Sequence, residues 1–168
     1  DLDAAVTTGV SARHLAQCED PAYVRKVAER VSQLQTERVI APDTIRLIAM
    51  LESPAALLLG REIATASLRM AGLTLGMEDY ATAMGTTPNA DLLRPASYQI
   101  TQAARAAGIA PLAVPASMAN FRDAEEMESA AGWARRIWAL GGYAVHPVQV
   151  EILNHVFAPS EEEIAWAH

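Results

Sequence analysis

The sequence predicts an α/β fold in which a parallel sheet is covered by helices. Segments with helical periodicity alternate with short apolar runs along most of the 168 residues. The apolar runs are continuous rather than alternating with polar residues, which is typical of strands that are buried on both faces. Alanine is abundant and aromatic residues are sparse, which suits helices packed closely on a sheet. A doubly wound sheet and a (β/α) barrel both fit this pattern.

The predicted elements begin with a short mixed run at residues 8–18. A helix follows at residues 22–34, because Pro21 suits a first helical turn and valines recur there at helical spacing. Further strands are predicted at residues 44–51, 70–77, 111–115 and 143–145, and further helices at residues 55–67, 91–107, 123–140, 148–156 and 160–166. No Gly-x-Gly-x-x-Gly motif follows the first strand, which disfavours the dinucleotide-binding form of the open sheet.

Composition and charge narrow the class of protein. The net charge of −7 and the lack of a Lys or Arg cluster argue against nucleic-acid binding. No apolar stretch is long enough to cross a membrane and no signal-peptide pattern is present, so we expect a cytoplasmic protein. The single cysteine, Cys18, excludes an intrachain disulfide and is expected to be a buried, inert thiol. The chain begins at Asp1 and stops within a helical pattern, so we expect further sequence at both ends.

Titratable residues follow three of the predicted strands. Glu52 follows the strand at residues 44–51, Glu78 and Asp79 follow the next strand, and His146 follows residues 143–145. Because the carboxyl ends of parallel strands meet at one edge of the sheet, two carboxylates there could bind Mg²⁺. The alternative is structural: Glu52 and Asp79 could be helix N-caps, and His146 could order a turn.

Four short motifs occur in a fixed order. They are Met-Leu-Glu-Ser at residues 50–53 with Gly-Arg-Glu-Ile at residues 60–63, Leu-Gly-Met-Glu-Asp-Tyr-Ala at residues 75–81, Gln-Ala-Ala-Arg-Ala-Ala-Gly at residues 102–108, and Val-His-Pro-Val-Gln-Val at residues 145–150 with Asn154 and residues 157–160 behind it. In this order the motifs resemble those of the citrate lyase β-subunit-like family, within the HpcH/HpaI aldolase superfamily. The resemblance covers nearly the whole chain.

The resemblance implies a (β/α)8 TIM barrel of the phosphoenolpyruvate/pyruvate type, here only a partial barrel. Residues 1–158 would form a barrel portion that lacks the N-terminal strands, and residues 159–168 would start a C-terminal helical extension. It also implies a homo-oligomer, a trimer or hexamer.

The activity implied by the resemblance is that of a Mg²⁺-dependent carbon–carbon lyase, with Mn²⁺ as a second possible metal. The substrate would be a small acyl-CoA, a citryl, citramalyl or malyl thioester. Glu52 and Asp79 would be the metal ligands and the catalytic residues. His146 and Pro147 would line the side of the pocket that binds the CoA thioester.

The chain departs from the family pattern at several points. Ala16 and Gln17 stand where the family has Pro and Lys, and residues 141–143 (Gly-Gly-Tyr) replace its Gly-Lys. The early strand that carries a substrate-binding arginine has no counterpart. These departures keep three alternatives open: an aldolase of free hydroxy-keto acids, a malyl-thioester hydrolase, and an inactive or incomplete subunit.

Overall fold

The structure, a computed structural model, describes residues 2–167. Within that range the chain alternates strands and helices as the sequence predicts. The elements are α1 (Leu2–Ala5), β1 (Ala12–Leu15), α2 (Pro21–Glu37), β2 (Arg46–Leu51), α3 (Pro54–Leu58), α4 (Gly60–Ala64), β3 (Met70–Leu75), α5 (Met77–Ala83), α6 (Ala90–Ala106), β4 (Ala110–Leu112), α7 (Ala124–Arg136), α8 (Pro147–Phe157) and α9 (Glu161–Ala167), with a 3₁₀ turn at Met118–Asn120. None of the helices in this range is long and apolar enough to span a membrane.

The strand order decides between the two architectures that the sequence left open. The four strands are all parallel and lie in the order β1-β2-β3-β4, the same as their order along the chain. A doubly wound sheet requires a point at which the strand order reverses, whereas a (β/α) barrel adds its strands one after another. Leu112 of β4 also pairs in parallel with Gly141, which extends the sheet by one further position. The chain is therefore an arc of a TIM-type barrel, and the prediction of a partial barrel is confirmed.

The two faces of the arc differ in burial. Leu47, Ala49 and Leu51 of β2 are completely buried in the apolar core with the surrounding helices. Ile48 and Met50 point to the opposite, inner face and are only partly buried. The core therefore lies between the strands and the helices, and the inner face leads up to the carboxyl ends of the strands.

Four predicted elements differ from the structure: β4 ends at Leu112 rather than at residue 115, α7 ends at Arg136 rather than at residue 140, and the other two differ as follows. Residues 143–145 do not form a strand, because the N–H of Val145 donates to Oε1 of Gln149 (2.8 Å) rather than to a neighbouring strand. The helix predicted at residues 55–67 is divided at Leu59 into α3 and α4. At the start of α4 the backbone packs closely on α6, since a Cβ added to Gly60 would lie 3.3 Å from Cβ of Ala103.

The C-terminal helix α9 contacts the barrel portion through an ion pair between Glu163 and Arg135 of α7. The division of the chain into a barrel portion at residues 1–158 and an extension at residues 159–168 stays a prediction.

Candidate metal site at the carboxyl ends of the strands

The two predicted metal ligands lie side by side. Glu52 directly follows β2, and Asp79 lies in the first turn of α5, just after β3. The last residues of the two strands, Leu51 and Leu75, are paired in register, which brings the following residues together. Both carboxylates line one cleft of about 190 Å³, together with Met50, Leu75, Gly76, Met77, Glu78, Met118 and Tyr143.

The helix-cap interpretation of these carboxylates is wrong. Ser53 caps α3, since its Oγ accepts a hydrogen bond from the N–H of Ala56 (3.1 Å). Gly76 occupies the N-cap position of α5. Neither Glu52 nor Asp79 is therefore needed to cap a helix, and both are free to act together in the cleft.

A backbone N–H group helps to hold Glu52 in place. The N–H of Gln17, in the loop after β1, donates to Oε2 of Glu52. Gln17 has a φ of +49°, in the left-handed region, and this conformation accompanies the N–H contact with the carboxylate. The local conformation of this loop is one part of the site that sequence reasoning missed.

Gly76 provides the space that the Glu52 side chain occupies. A Cβ built on Gly76 would lie 2.3 Å from Cγ of Glu52 and 2.8 Å from its Oε1. Carbon atoms do not approach so closely, so any larger residue at position 76 would displace the carboxylate. The glycine of the Leu-Gly-Met-Glu-Asp motif is thus part of the site although it carries no ligand atom.

The electrostatics of the pair suit a cation. Burial raises the pKa of Glu52, and the neighbouring Asp79 raises it further through charge repulsion and hydrogen bonding, while the Gln17 N–H opposes the shift. Two adjacent carboxylates cannot both ionise at low cost unless a positive charge lies between them. Within residues 2–167 no cluster of three or more His, Cys, Asp or Glu side chains is placed to bind a metal. A pair of carboxylates suits Mg²⁺, which usually binds one or two of them and completes its shell with water and substrate oxygens.

Glu78 has a different role from its neighbour. Its Oε1 accepts hydrogen bonds from Oγ of Ser117 (2.7 Å) and from the N–H of Met118 (2.9 Å). It therefore ties α5 to the loop after β4 and fixes one wall of the cleft.

His146 and Pro147 do not line the cleft of the carboxylate pair. His146 is the N-cap of α8, where its Nδ1 accepts from the N–H of Val148 (3.3 Å), and Pro147 is the first residue of that helix. The ring of His146 also stacks on Phe121, with 5.2 Å between centroids. Both residues lie in a separate, shallow depression with Val150. Their assignment to a thioester-binding surface stays a prediction. The alternative, a structural role for His146, is observed as a helix cap.

Tyr143 is a residue of the cleft that the sequence did not identify. It lines the same cleft as the carboxylates, and its hydroxyl lies 2.8–2.9 Å from the ring nitrogens of His14 on β1. No short-range motif links these two residues, because they are 129 positions apart.

The chain is an arc of parallel (β/α) units with an acidic cleft at the carboxyl ends of its strands. In barrels of this type the active site lies at that end of the strands. A family model for the HpcH/HpaI aldolase/citrate lyase proteins matches residues 1–147. The chain belongs to this family.

Individual relatives agree with the assignment. The citrate lyase subunit beta of Leuconostoc mesenteroides subsp. cremoris is 32% identical over 98% of this chain and 54% of its own length. The L-malyl-CoA/beta-methylmalyl-CoA lyase of Rhodobacter capsulatus is 32% identical over 73% of this chain and 44% of its own length. The crystal structure of the CitE protein of Mycobacterium tuberculosis, in complex with magnesium and pyruvate, superposes with a TM-score of 0.74 at 25% identity, over 96% of this chain and 63% of that protein. The chain thus spans about half the length of the curated relatives that it matches.

Proposed function

We propose that this chain carries the metal site of a Mg²⁺-dependent carbon–carbon lyase that acts on a citryl, citramalyl or malyl thioester of CoA. The observation that carries the proposal is the pairing of Glu52 with Asp79 at adjacent strand ends, with Gly76 leaving room for the Glu52 side chain. The names of the relatives as citrate lyase and malyl-CoA lyase, and the magnesium and pyruvate bound by the CitE protein, support both the metal and the substrate class.

Each residue of the cleft has a separable task in this proposal. Glu52 and Asp79 would hold the metal, which when bound supplies Lewis-acid polarisation of the substrate's carbonyl and carboxylate oxygens. The Gln17 N–H fixes the Glu52 carboxylate so that it need not reorganise when substrate arrives. Met50 and Met118 give the cleft apolar walls, which exclude water and strengthen electrostatic contacts inside it.

The metal assignment is tested by calorimetric titration of Mg²⁺ into Glu52→Gln and Asp79→Asn variants of the full-length protein. Each variant should lose measurable Mg²⁺ affinity while keeping its far-ultraviolet circular dichroism, because neither side chain belongs to the apolar core. Glu62→Gln and Asp91→Asn are matched controls, since both residues are exposed and lie in the first turn of a helix, as Asp79 does. Unchanged affinity in both site variants would contradict the assignment of the ligands.

The substrate class is tested by product analysis. Citryl-CoA, citramalyl-CoA, malyl-CoA and the free hydroxy-keto acids are each incubated with the protein and Mg²⁺, and then with Mn²⁺ in its place. Release of an acyl-CoA together with a keto or aldehyde acid supports the lyase. Release of free CoA instead indicates a thioester hydrolase, and turnover of the free acids alone indicates an aldolase. A full-length protein that turns over none of them would be an inactive subunit, and the lyase proposal would fall.

Assembly and location belong to the same proposal. The expected trimer or hexamer is checked by light scattering on the full-length protein, and the expected cytoplasmic location by cell fractionation.

A further inference from the structure

A tyrosine and a histidine from opposite ends of the described sheet meet at the cleft. The hydroxyl of Tyr143 lies 2.9 Å from Nδ1 and 2.8 Å from Nε2 of His14, so either ring nitrogen can be its partner. The two rings pack edge to face with 4.9 Å between centroids. His14 belongs to β1 and Tyr143 follows the Gly141 bridge, so the pair spans the inner side of the arc from its first strand to its last position.

The backbone around Tyr143 is fixed on both sides. Before it, the N–H of Ala113 donates to the carbonyl of Gly141 (3.0 Å). Gly142 packs against Val114 so closely that an added Cβ would lie 2.6 Å from Cγ2 of the valine. After it, the N–H of Val145 is bound by Gln149. Tyr143 therefore lines the cleft from a preorganised loop, with its hydroxyl held against His14.

His14 is equally well placed on the sheet. It is in register with Ile48 of β2, whose side chain points to the inner face. Partial desolvation lowers the pKa of His14 below its ordinary value, so the ring is neutral near neutral pH. A neutral imidazole has one nitrogen free to accept a proton from the tyrosine hydroxyl.

We propose that Tyr143 transfers protons to and from the substrate in the carboxylate cleft, and that His14 positions its hydroxyl and stores the proton during the reaction. This inference rests on the proposed lyase function. The inference adds a residue that transfers protons, because Glu52 and Asp79 would be occupied as metal ligands. The other titratable side chains that line the cleft are Tyr143 and Glu78. Glu78 is already engaged by Ser117 and Met118.

The proton balance closes within the pair. As the carbon–carbon bond breaks, the substrate hydroxyl gives its proton to the Tyr143 oxygen, whose own proton passes to the free nitrogen of His14. The electrons of the broken bond leave an enolate on the departing fragment. The Tyr143 hydroxyl then protonates the enolate carbon and regains a proton from the imidazolium of His14. One proton leaves the substrate hydroxyl and one enters the product, so no oxidant or further reactant is needed.

The decisive variant is Tyr143→Phe in the full-length protein, which removes only the hydroxyl. General acid–base groups contribute about 100-fold to 10,000-fold in rate, so kcat should fall by about 100-fold or more with KM little changed. Mg²⁺ affinity, measured by calorimetry, should stay at the wild-type value. Uptake of deuterium from D₂O into the methyl group of acetyl-CoA should fall with kcat, because that exchange uses the same proton transfer. Tyr98→Phe, on an exposed part of α6, is the matched control and should change none of these values.

The role of His14 is tested by His14→Gln and by the double variant with Tyr143→Phe. His14→Gln should lower kcat by a smaller factor than Tyr143→Phe does, and it should shift the pH profile of kcat. The double variant should be no slower than Tyr143→Phe alone, because the two residues act as one unit. The exposed His155→Gln is the control. Nitrogen-15 shifts of the His14 ring should change in Tyr143→Phe.

The outcomes separate this inference from the function on which it rests. An active wild type whose Tyr143→Phe variant keeps kcat and deuterium exchange within about threefold would overturn the proton-transfer role alone. Additive losses in the double variant would overturn the assignment of His14. A wild-type protein that acts on no thioester and no free acid would remove the proposed function, and the proton-transfer role with it.

Discussion

Replacing Gly76 with alanine tests whether the site depends on space as much as on ligands. The added Cβ would lie 2.3 Å from Cγ, 2.8 Å from Oε1 and 3.0 Å from Cδ of Glu52. The φ of Gly76 is −85°, outside the left-handed region, so an alanine can adopt the backbone conformation. The substitution should therefore act through displacement of the Glu52 side chain and not through backbone strain.

Three contributions set the expected effect of Gly76→Ala on the free energy of unfolding: two destabilise the protein and one stabilises it. Forcing Glu52 off its rotamer costs about 0.5–1.5 kcal/mol. Losing the hydrogen bond from the Gln17 N–H to a charged group costs about 1.5–3 kcal/mol. Reduced entropy of the unfolded chain returns about 0.4–1 kcal/mol when glycine becomes alanine. The free energy of unfolding should thus fall by about 1–4 kcal/mol, and Mg²⁺ affinity by about 10-fold to 100-fold, as for other residues that orient metal ligands.

Urea denaturation and calorimetric Mg²⁺ titration measure the two effects on the same preparation. Gly132→Ala in α7 is the control, since its Cβ would meet only Nη1 of Arg136 at 3.8 Å and should leave the protein equally or more stable. The double variant Glu52→Ala/Gly76→Ala should be more stable than Gly76→Ala alone, because the clash is gone. Wild-type Mg²⁺ affinity in Gly76→Ala would refute the reasoning about the space at the end of β3.

Two further predictions concern titration. Burial and Asp79 raise the pKa of Glu52 above its ordinary value of 4.5. Between pH 4.5 and the raised pKa, the folded, metal-free protein therefore keeps a proton on Glu52 that the unfolded chain releases. The stabilisation from that proton is present below pH 4.5 and is lost as the pH rises through the raised pKa. Urea denaturation in EDTA at a series of pH values should show this fall in the free energy of unfolding. The same dependence of the free energy of unfolding on pH in Glu52→Gln would contradict the prediction. Burial, with Asp20 and Glu19 nearby, raises the pKa of the Cys18 thiol to about 12. A disulfide reagent at pH 8 should therefore label Cys18 in urea but not in the native protein. The Cys18→Ser variant is the control and should give no labelling in either condition. Rapid labelling of the native protein would contradict the prediction.

Regular elements were predictable from the sequence where burial dictates the residue pattern. The continuous apolar runs at residues 44–51 and 70–77 predict strands, and both runs contain one: the outer face of β2 is buried and its inner face is partly buried, while nearly all of β3 is buried. The segment at residues 143–145 is equally apolar, but Gln149 takes the N–H that a ladder would need. Such a contact depends on the position of α8 and leaves no trace in local propensity. The order of the strands in the sheet depends on which strands pair, and local sequence does not determine that pairing. The sequence alone therefore does not distinguish the barrel from the open sheet.

The site was predictable to the extent that it follows the strand-end rule. Glu52 and Asp79 follow adjacent buried strands, and parallel pairing brings any such residues together. His14 and Tyr143 escape this rule, because one points inward from within β1 and the other lies in a loop whose course is set by the packing of Gly142 on Val114. Their contact arises only when the two ends of the arc are placed in space.

The way Glu52 is held explains why the metal pair can survive the chain's departures from its family. The family motif has Pro and Lys where this chain has Ala16 and Gln17. The contact to Glu52 comes from the backbone N–H of residue 17, which every amino acid except proline can supply. Loss of the lysine side chain therefore removes a cation that could bind substrate but leaves the carboxylate in place. Substrate preference can thus change at residue 17 independently of the metal site, so a Gln17→Lys variant should alter KM for an anionic substrate while Mg²⁺ affinity stays constant.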